Sequence, residues 1–176
     1  MSIIYKLIIP FLFFTTQIFA QEAQNEESEG NFHKIALVFG YTLIPSGFED
    51  GEETESVFVP TIGVDYFMQF ENRWKVGAVM DLELKNYIVK FNREPLNRER
   101  ALITGIVVGY EFENHWSFLL GPAIEFEKNK NLFILRSSIE YEFELENGWG
   151  VFPAFNYDFK EEYSTWSINI GISKRL

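Results

Sequence analysis

Two histidines, His33 and His115, are the only ones in this 176-residue sequence, and histidine is the commonest general base in enzymes. A histidine-activated serine requires both groups within hydrogen-bond reach, and a histidine metal site requires several ligands together. The sequence contains no cysteine, which excludes disulfides, a thiolate nucleophile and a thiolate metal site. What the histidines can do therefore depends on the elements that carry them.

Apolar and polar residues alternate along most of the chain after residue 32. In 74–84 every even position is apolar and nearly every odd position is polar or small. A period of two is that of a β-strand with one apolar face. The alternation predicts eight strands, near 33–45, 57–70, 74–89, 100–112, 116–127, 132–145, 149–160 and 164–176.

The first 20 residues have the layout of a secretory signal peptide. Lys6 precedes an apolar run over 7–14, and Ala20 precedes an acidic stretch, which predicts cleavage after Ala20. Residues 21–32 then form a flexible acidic leader, and 33–176 one domain. A transmembrane anchor is the alternative, but it needs about 20 apolar residues and Thr15 interrupts the run.

A short segment occurs three times, as FENRW at 70–74, FENHW at 112–116 and LENGW at 145–149. If E-N-x is a three-residue hairpin loop, the residues on either side of it lie on the same apolar face; a two-residue loop would place them on opposite faces. The third loop position favours left-handed backbone, which suits Gly148. The pattern predicts three cross-strand pairs: Phe70 with Trp74, Phe112 with Trp116 and Leu145 with Trp149.

Aromatic residues make up 18% of the chain, and they recur at both ends of the predicted strands. Trp116 and Phe126 are ten positions apart on one face; at about 3.3 Å per residue and a tilt near 40° they span roughly 25 Å, the height of a barrel's apolar band. No segment after residue 20 has the length of a membrane helix, so the pattern favours a membrane β-barrel. Tryptophan prefers the membrane–water interface. The predicted interface girdle comprises Phe70, Trp74, Phe112, Trp116, Phe143 and Trp149.

Short turns alternate with longer connections at 46–56, 90–99, 128–131 and 160–164. In this architecture residues 33–176 resemble the small eight-stranded outer-membrane β-barrel proteins of Gram-negative bacteria. The last strand adds a local similarity, because apolar residues alternate up to a terminal Leu176, although Lys174 departs from the pattern. The resemblance implies an all-β fold, a single closed eight-stranded antiparallel up-and-down transmembrane barrel, in the outer membrane with both termini periplasmic. It implies lipid, lipopolysaccharide and the barrel assembly machinery as partners.

Some outer-membrane barrels of this size are lipid A deacylases or acyltransferases, which use a histidine-activated serine near the outer leaflet. In the predicted topology both His33 and His115 map to the periplasmic end. The general base is therefore missing at the outer rim, and we predict no enzymatic activity, no cofactor and no metal site.

The second face of the strands carries glycines and charges, which suits the narrow interior of an eight-stranded barrel. Arg136 is predicted to face Asp158 directly across the ladder. Ten acids against five bases cannot all pair, so some acids must contact water. The predicted lumen network comprises Asp65, Asp81, Glu83, Glu111, Glu125, Arg136, Glu140, Glu142 and Asp158. The other charged residues predicted on this inward face are Lys34, Lys75, Lys85, Glu127, Glu144 and Lys160.

Three functions remain open at this level. The first is a structural or interaction role with a hydrated but plugged lumen; the second is a narrow cation-preferring channel, since carboxylate rings favour cations. The third is a soluble lipocalin-like binding barrel with the apolar face inward. The net charge of −11 argues against nucleic acid as a partner.

Two connections between predicted strands are rich in charged residues, and three prolines fall inside predicted strands. The acidic segment 46–56 is a candidate for divalent cations, and the mixed segment 90–100 for lipid phosphates, but a solvated loop is favoured for both. Pro60, Pro122 and Pro153 fall inside predicted strands, where each lacks a ladder donor. Local bulges or shifted strand boundaries are expected there.

Overall fold

The structure is a computed structural model, and it describes residues 31–49, 52–91, 94–113 and 115–176. The predicted signal peptide and nearly all of the predicted leader lie outside the described residues. The strands are β1 (Phe32–Glu49), β2 (Glu52–Gln69), β3 (Trp74–Glu83), β4 (Tyr87–Phe91), β5 (Glu94–Arg98), β6 (Leu102–Glu113), β7 (Trp116–Phe126), β8 (Leu132–Tyr141), β9 (Phe143–Glu144), β10 (Trp149–Lys160) and β11 (Ser164–Arg175). A 3-10 turn covers Glu146–Gly148.

Within the described ranges, eight antiparallel strands form a closed barrel in the order β1–β2–β3–β6–β7–β8–β10–β11. The barrel closes because β11 pairs with β1, from Lys34 opposite Arg175 to Leu43 opposite Trp166. The predicted closed eight-stranded barrel is confirmed. No described helix is long and apolar enough to cross a membrane.

Burial alternates along the barrel strands, most regularly in β3, β7 and β8. In β7 each residue in outward register is exposed and each inward one is buried. The outward residues are large and apolar; Ile106 is 62% exposed and Ile168 is 70% exposed. The inward face is crowded: a Cβ on Gly121 would collide with the backbone of the neighbouring β6. A lipocalin-like barrel requires the opposite arrangement, so that alternative is wrong.

The three repeated turns share one backbone device. The third loop residue, x of E-N-x, has positive φ in each turn: 68° at Arg73, 75° at His115 and 71° at Gly148. In the first turn Phe70 N donates to Trp74 O at 2.8 Å, and in the third Leu145 N donates to Trp149 O at 2.8 Å, so both predicted pairs are confirmed.

The second turn differs from the prediction. The ladder between β6 and β7 shifts between Glu111 and Glu113, so that Glu113 rather than Phe112 lies opposite Trp116. One extra residue on one strand is a β-bulge, and a bulge takes up a turn whose sequence does not suit the regular hairpin geometry.

Replacing Arg73 with glycine is expected to stabilise the barrel by about 0.5 to 1 kcal/mol, because a left-handed residue with a Cβ costs more than the extra chain entropy of glycine. The measurement is the urea midpoint of the barrel folded in lipid vesicles. Glu71→Gly is the matched control in the same turn. Since Glu71 does not have positive φ, that variant is expected to be destabilised, and a stabilised control would contradict the explanation.

The three strand prolines shift no register, but each marks a gap in a ladder. Pairing of β2 with β3 stops at Thr61, next to Pro60, and pairing of β10 with β8 and β9 is interrupted at Pro153. Beside Pro122 the β6–β7 ladder lacks pairs, but its register is the same on both sides of this gap. The expected bulges are therefore wrong. Of the proline-containing strands, β7 and β10 keep the predicted bounds to within one residue, whereas the neighbouring strands β3 and β8 end earlier than predicted. The cause is the missing N–H of proline.

The barrel has two unlike ends. The short-turn end carries the three repeated turns and the described termini, Asn31 and Leu176. The long-loop end carries the tip of β1 and β2, the β4–β5 hairpin, and the connections 127–131 and 161–163.

At the long-loop end the structure corrects two expectations. Segment 46–56 is not a loop along its length, because β1 and β2 continue pairing as far as Glu49 and Glu52. Segment 90–100 is not a solvated loop either. It belongs to the β4–β5 hairpin, which pairs with β1 through Gly47 opposite Val89. The side chains of 46–55 lie outside the described part of the chain, and so does the proposed divalent cation site.

Candidate functional site

The lumen holds three layers of charged side chains. Nearest the short-turn end, Lys34 Nζ lies 2.6 Å from Glu142 Oε2, and Ser173 donates to Glu142 Oε1 at 2.7 Å. Lys75 pairs with Glu140 in the same layer. The Lys34 ammonium also lies 5.5 Å from the ring centroid of Phe67, which is within the range of cation–π contact.

Arg136 dominates the middle layer. Its Nε donates to Asp158 Oδ1 at 2.7 Å and its Nη2 to Asp158 Oδ2 at 2.9 Å, a bidentate pair across the β8–β10 ladder. Its Nη1 also donates to Asp81 on the far wall. The predicted ion pair is confirmed, and the guanidinium additionally connects three strands of the barrel.

A third layer closes the long-loop end. Arg98 of β5 is fully buried; its Nε donates to Glu125 Oε1 at 2.8 Å and its Nη1 to Lys130 O at 2.6 Å. Lys160 Nζ lies 2.6 Å from Glu125 Oε2 and 3.9 Å from Glu83 Oε1. Arg98 Nη1 also donates to Glu127 Oε2 at 3.4 Å, so two cations pair with three carboxylates in this layer, and such pairing makes a buried ionic cluster tolerable.

Two tyrosines connect this layer to the loops above it. Tyr87 Oη donates to Glu83 Oε2 at 2.7 Å and lies 3.1 Å from Tyr163 Oη. Burial raises the pKa of Tyr87 well above its ordinary value and raises the pKa of Tyr163 to about 12. Both phenols are therefore protonated at neutral pH and can donate hydrogen bonds.

The β4–β5 hairpin also closes the mouth with apolar side chains. Tyr87 and Val89 of β4 pack with Ile44, Val57 and Val59 of β1 and β2 in one buried cluster. This cluster lies over the third ionic layer, so the hairpin covers the lumen rather than extending away from it.

Asp65 differs from the other lumen acids. Its Oδ1 is buried and has no hydrogen-bond partner among the described residues. It lines a cavity of about 20 Å³ in the middle of the lumen, together with Asp81, Arg136 and Glu140. This is about the space that one water molecule occupies.

The structure brings together most of the predicted lumen residues. Glu111 is the exception within the predicted network: it is partly exposed near the short-turn end, and no described ion pair includes it. Glu144, of the same parity, is exposed and pairs with Arg175 outside the lumen. Buried in the three layers are Asp81, Glu83, Glu125, Arg136, Glu140 and Asp158, with Glu142 and Asp65 partly exposed as whole residues.

The predicted girdle residues lie near the short-turn end, with Trp74, Phe112, Trp116 and Trp149 exposed and Phe70 and Phe143 partly buried. Sequence reasoning missed two aromatic neighbours. Tyr110 lies opposite Trp74, with ring centroids 5.0 Å apart, and Tyr141 lies opposite Trp116 at 5.1 Å. Each lies two positions before a predicted girdle residue, which is the signal that alternation offered.

Arg98, Tyr87 and Tyr163 were also missed, and Arg98 was expected to be exposed. The signal was weak, since Ile88, between Tyr87 and Val89, is also apolar and alternation does not distinguish the two faces there. The correction follows from the hairpin register, which places Arg98 opposite Tyr87 and therefore on the inner side.

Both histidines lie at the short-turn end. His33 Nδ1 lies 2.7 Å from Tyr66 Oη, and His115 Nδ1 lies 3.7 Å from Glu144 Oε1. The described residues contain no group of three or more histidine, cysteine, aspartate or glutamate side chains arranged to hold a metal ion.

Comparisons with known proteins identify the fold. No family model matches the sequence, and no curated protein matches it. Among solved structures, the attachment invasion locus protein Ail of Yersinia pestis superposes with a TM-score of 0.57 at 11% identity, covering 84% of this chain and 100% of that one. Neisserial surface protein A gives 0.56 at 9% identity, covering 84% and 100%.

OprG of Pseudomonas aeruginosa, an outer membrane protein, gives a TM-score of 0.55 at 12% identity, covering 85% of this chain and 98% of that one. Identities this low establish the fold alone. The topology, the outward apolar face and these neighbours agree: the chain has the fold of the small outer-membrane β-barrel proteins of Gram-negative bacteria.

Proposed function

We propose that this protein is a sealed outer-membrane barrel with a structural or interaction role, whose lumen does not conduct. The observation that carries the proposal is the filling of the bore: three ionic layers cross it, and the cavity between them measures about 20 Å³. A conducting pore requires a continuous water path.

The β4–β5 hairpin supports the same proposal. It lies over the mouth at the long-loop end, held by buried Arg98 and by the apolar cluster that contains Tyr87 and Val89. With the bore filled, the surfaces available for interaction are the outer wall and the two ends.

Outer-membrane lipid is the partner that the outer wall supports best. A band of exposed apolar side chains encircles the barrel, including Phe58, Phe126 and Phe159 near the long-loop end. We propose that this end faces outward, towards lipopolysaccharide, and that both termini are periplasmic. The assembly machinery would bind β11 and Leu176, which follows it and donates its N–H to His33 O at 2.9 Å.

A cation-preferring channel is the second candidate, favoured by one observation: acids outnumber bases in the middle layer. The layer holds three aspartates, Asp65, Asp81 and Asp158, and one guanidinium, that of Arg136, which donates to Asp158 and Asp81 but not to Asp65. Negative charge along a bore raises the local cation concentration, and so selects cations where a water path exists.

Conductance in planar bilayers distinguishes the two. We expect no current from the wild-type barrel and none from Arg136→Ala, because the hairpin and the Lys34–Glu142 and Lys75–Glu140 pairs still fill the bore. Insertion is verified separately by the heat-dependent shift in gel mobility of the folded barrel. Single-channel current steps in the wild type would establish the channel instead, provided that the reversal potential in a salt gradient shows a preference for cations over anions.

A further inference from the structure

The charges named in the two end layers of the lumen are paired, but those in its middle are not. At the short-turn end two lysines face two glutamates, and at the long-loop end Arg98 and Lys160 pair with Glu83, Glu125 and Glu127. The middle layer has three aspartates, Asp65, Asp81 and Asp158, and one arginine. Counted over these described residues, its formal charge is −2.

Asp65 is the aspartate that this imbalance leaves without compensation. Arg136 donates to Asp158 and to Asp81 but makes no described hydrogen bond to Asp65. The other charged groups near Asp65 are Glu140 and Lys34, and Lys34 already pairs with Glu142. A buried carboxylate without a positive partner is costly, and either a bound proton or a bound cation removes that cost.

The space beside Asp65 has the size and chemistry for a bound cation. The cavity is about 20 Å³, and besides Asp65 its lining includes Ser138, Asn156 and Asn169, whose side chains offer neutral oxygen ligands. Oxygen ligands suit hard cations. A water molecule would provide Oδ1 with a hydrogen bond but would leave the carboxylate charge uncompensated.

We propose that the middle of the lumen binds one small monovalent cation, of the size of Na⁺, on Asp65 Oδ1. The neighbouring amide and hydroxyl oxygens complete its coordination, and its positive charge reduces the formal charge of the middle layer from −2 to −1. A monovalent ion fits better than a divalent one, because no group of three or more acidic or histidine ligands converges among the described residues. The bound ion then acts as a structural part of the sealed bore.

The test compares barrels folded into vesicles in NaCl and in choline chloride at equal ionic strength and pH 7.5, because choline is too large for the cavity. The readout is the midpoint of the heat-dependent gel shift. We expect a rise of roughly 5 to 10 °C in the wild type, linear in the logarithm of the Na⁺ concentration, as Na⁺ replaces choline over a hundredfold range above its dissociation constant.

Asp65→Asn is expected to lose this Na⁺-specific rise and to have a higher midpoint than the wild type in choline. Glu144→Gln is the matched control: it removes one carboxylate at an exposed site and is expected to retain the full Na⁺ response. A wild-type midpoint that is equal in both salts would overturn the proposal and indicate a protonated Asp65. Retention of the Na⁺ response by Asp65→Asn would overturn it as well. A sealed, non-conducting bore is compatible with either result, so the proposed function is tested independently.

Discussion

Replacing Arg136 with methionine is expected to destabilise the folded barrel by about 3 to 5 kcal/mol, the cost of breaking a buried ion pair by removing one partner. Methionine occupies a similar volume, so the loss is chiefly electrostatic. Asp158 and Asp81 would remain buried without the guanidinium that now donates to both. Three strands would lose their common polar partner in the centre of the bore.

The measurement is urea unfolding in lipid vesicles, where the midpoint and slope yield the free energy of unfolding. Arg175→Met is the matched control, because Arg175 pairs with Glu144 at the exposed short-turn end. Surface pairs contribute about 0 to 1 kcal/mol, so this variant should remain near the wild type. Equal losses for the two variants would mean that the middle layer does not lock the barrel.

Replacing Arg98 with methionine is expected to release the β4–β5 hairpin while the barrel wall stays folded. Arg98 is the hairpin's buried cation, and it donates to Glu125 and to the carbonyl of Lys130. Hydrogen bonds to charged groups contribute about 1.5 to 3 kcal/mol, so amide hydrogen exchange in 87–98 should accelerate about 10- to 150-fold. Amides of β10 and β11, which belong to the barrel wall, should keep their protection.

Arg100→Met is the control for this experiment. Arg100 is exposed and close to the hairpin. Its backbone φ is positive, and methionine carries a Cβ as arginine does, so the substitution leaves the backbone strain the same. Its replacement should leave exchange in 87–98 within about twofold of the wild type, as expected for a surface substitution. If Arg98→Met also leaves exchange unchanged, the apolar cluster alone holds the hairpin over the mouth.

Most of the barrel wall could be predicted from the sequence because its information is local. A strand at the membrane has one face in lipid and one in the lumen, so each residue's type reports its direction. This is why Trp116 and Phe126 were correctly assigned outward and Arg136 correctly opposite Asp158. The turn length followed from the same parity, since Phe70 and Trp74 had to share a face.

Where local pattern and backbone chemistry disagreed, prediction failed. Alternation continues through Pro60 and Pro153, but proline removes a ladder donor, and β3 and β8 stop beside these residues. At Phe112 the shared motif predicted a regular turn. The structure instead has a bulge, a feature that depends on how two strands meet and not on either strand alone.

The sequence by itself determined the strands, their inward and outward faces, the three left-handed turn positions and the acidic character of the bore. The tertiary structure decided which charges meet: that Arg98 turns inward to Glu125, that Arg136 holds Asp158 and Asp81, and that Asp65 is left with a cavity. The physical reason is distance. Parity assigns a side chain to a face from its nearest neighbours, whereas contacts across a bore depend on strand stagger, side-chain reach and the path of a hairpin distant in the chain.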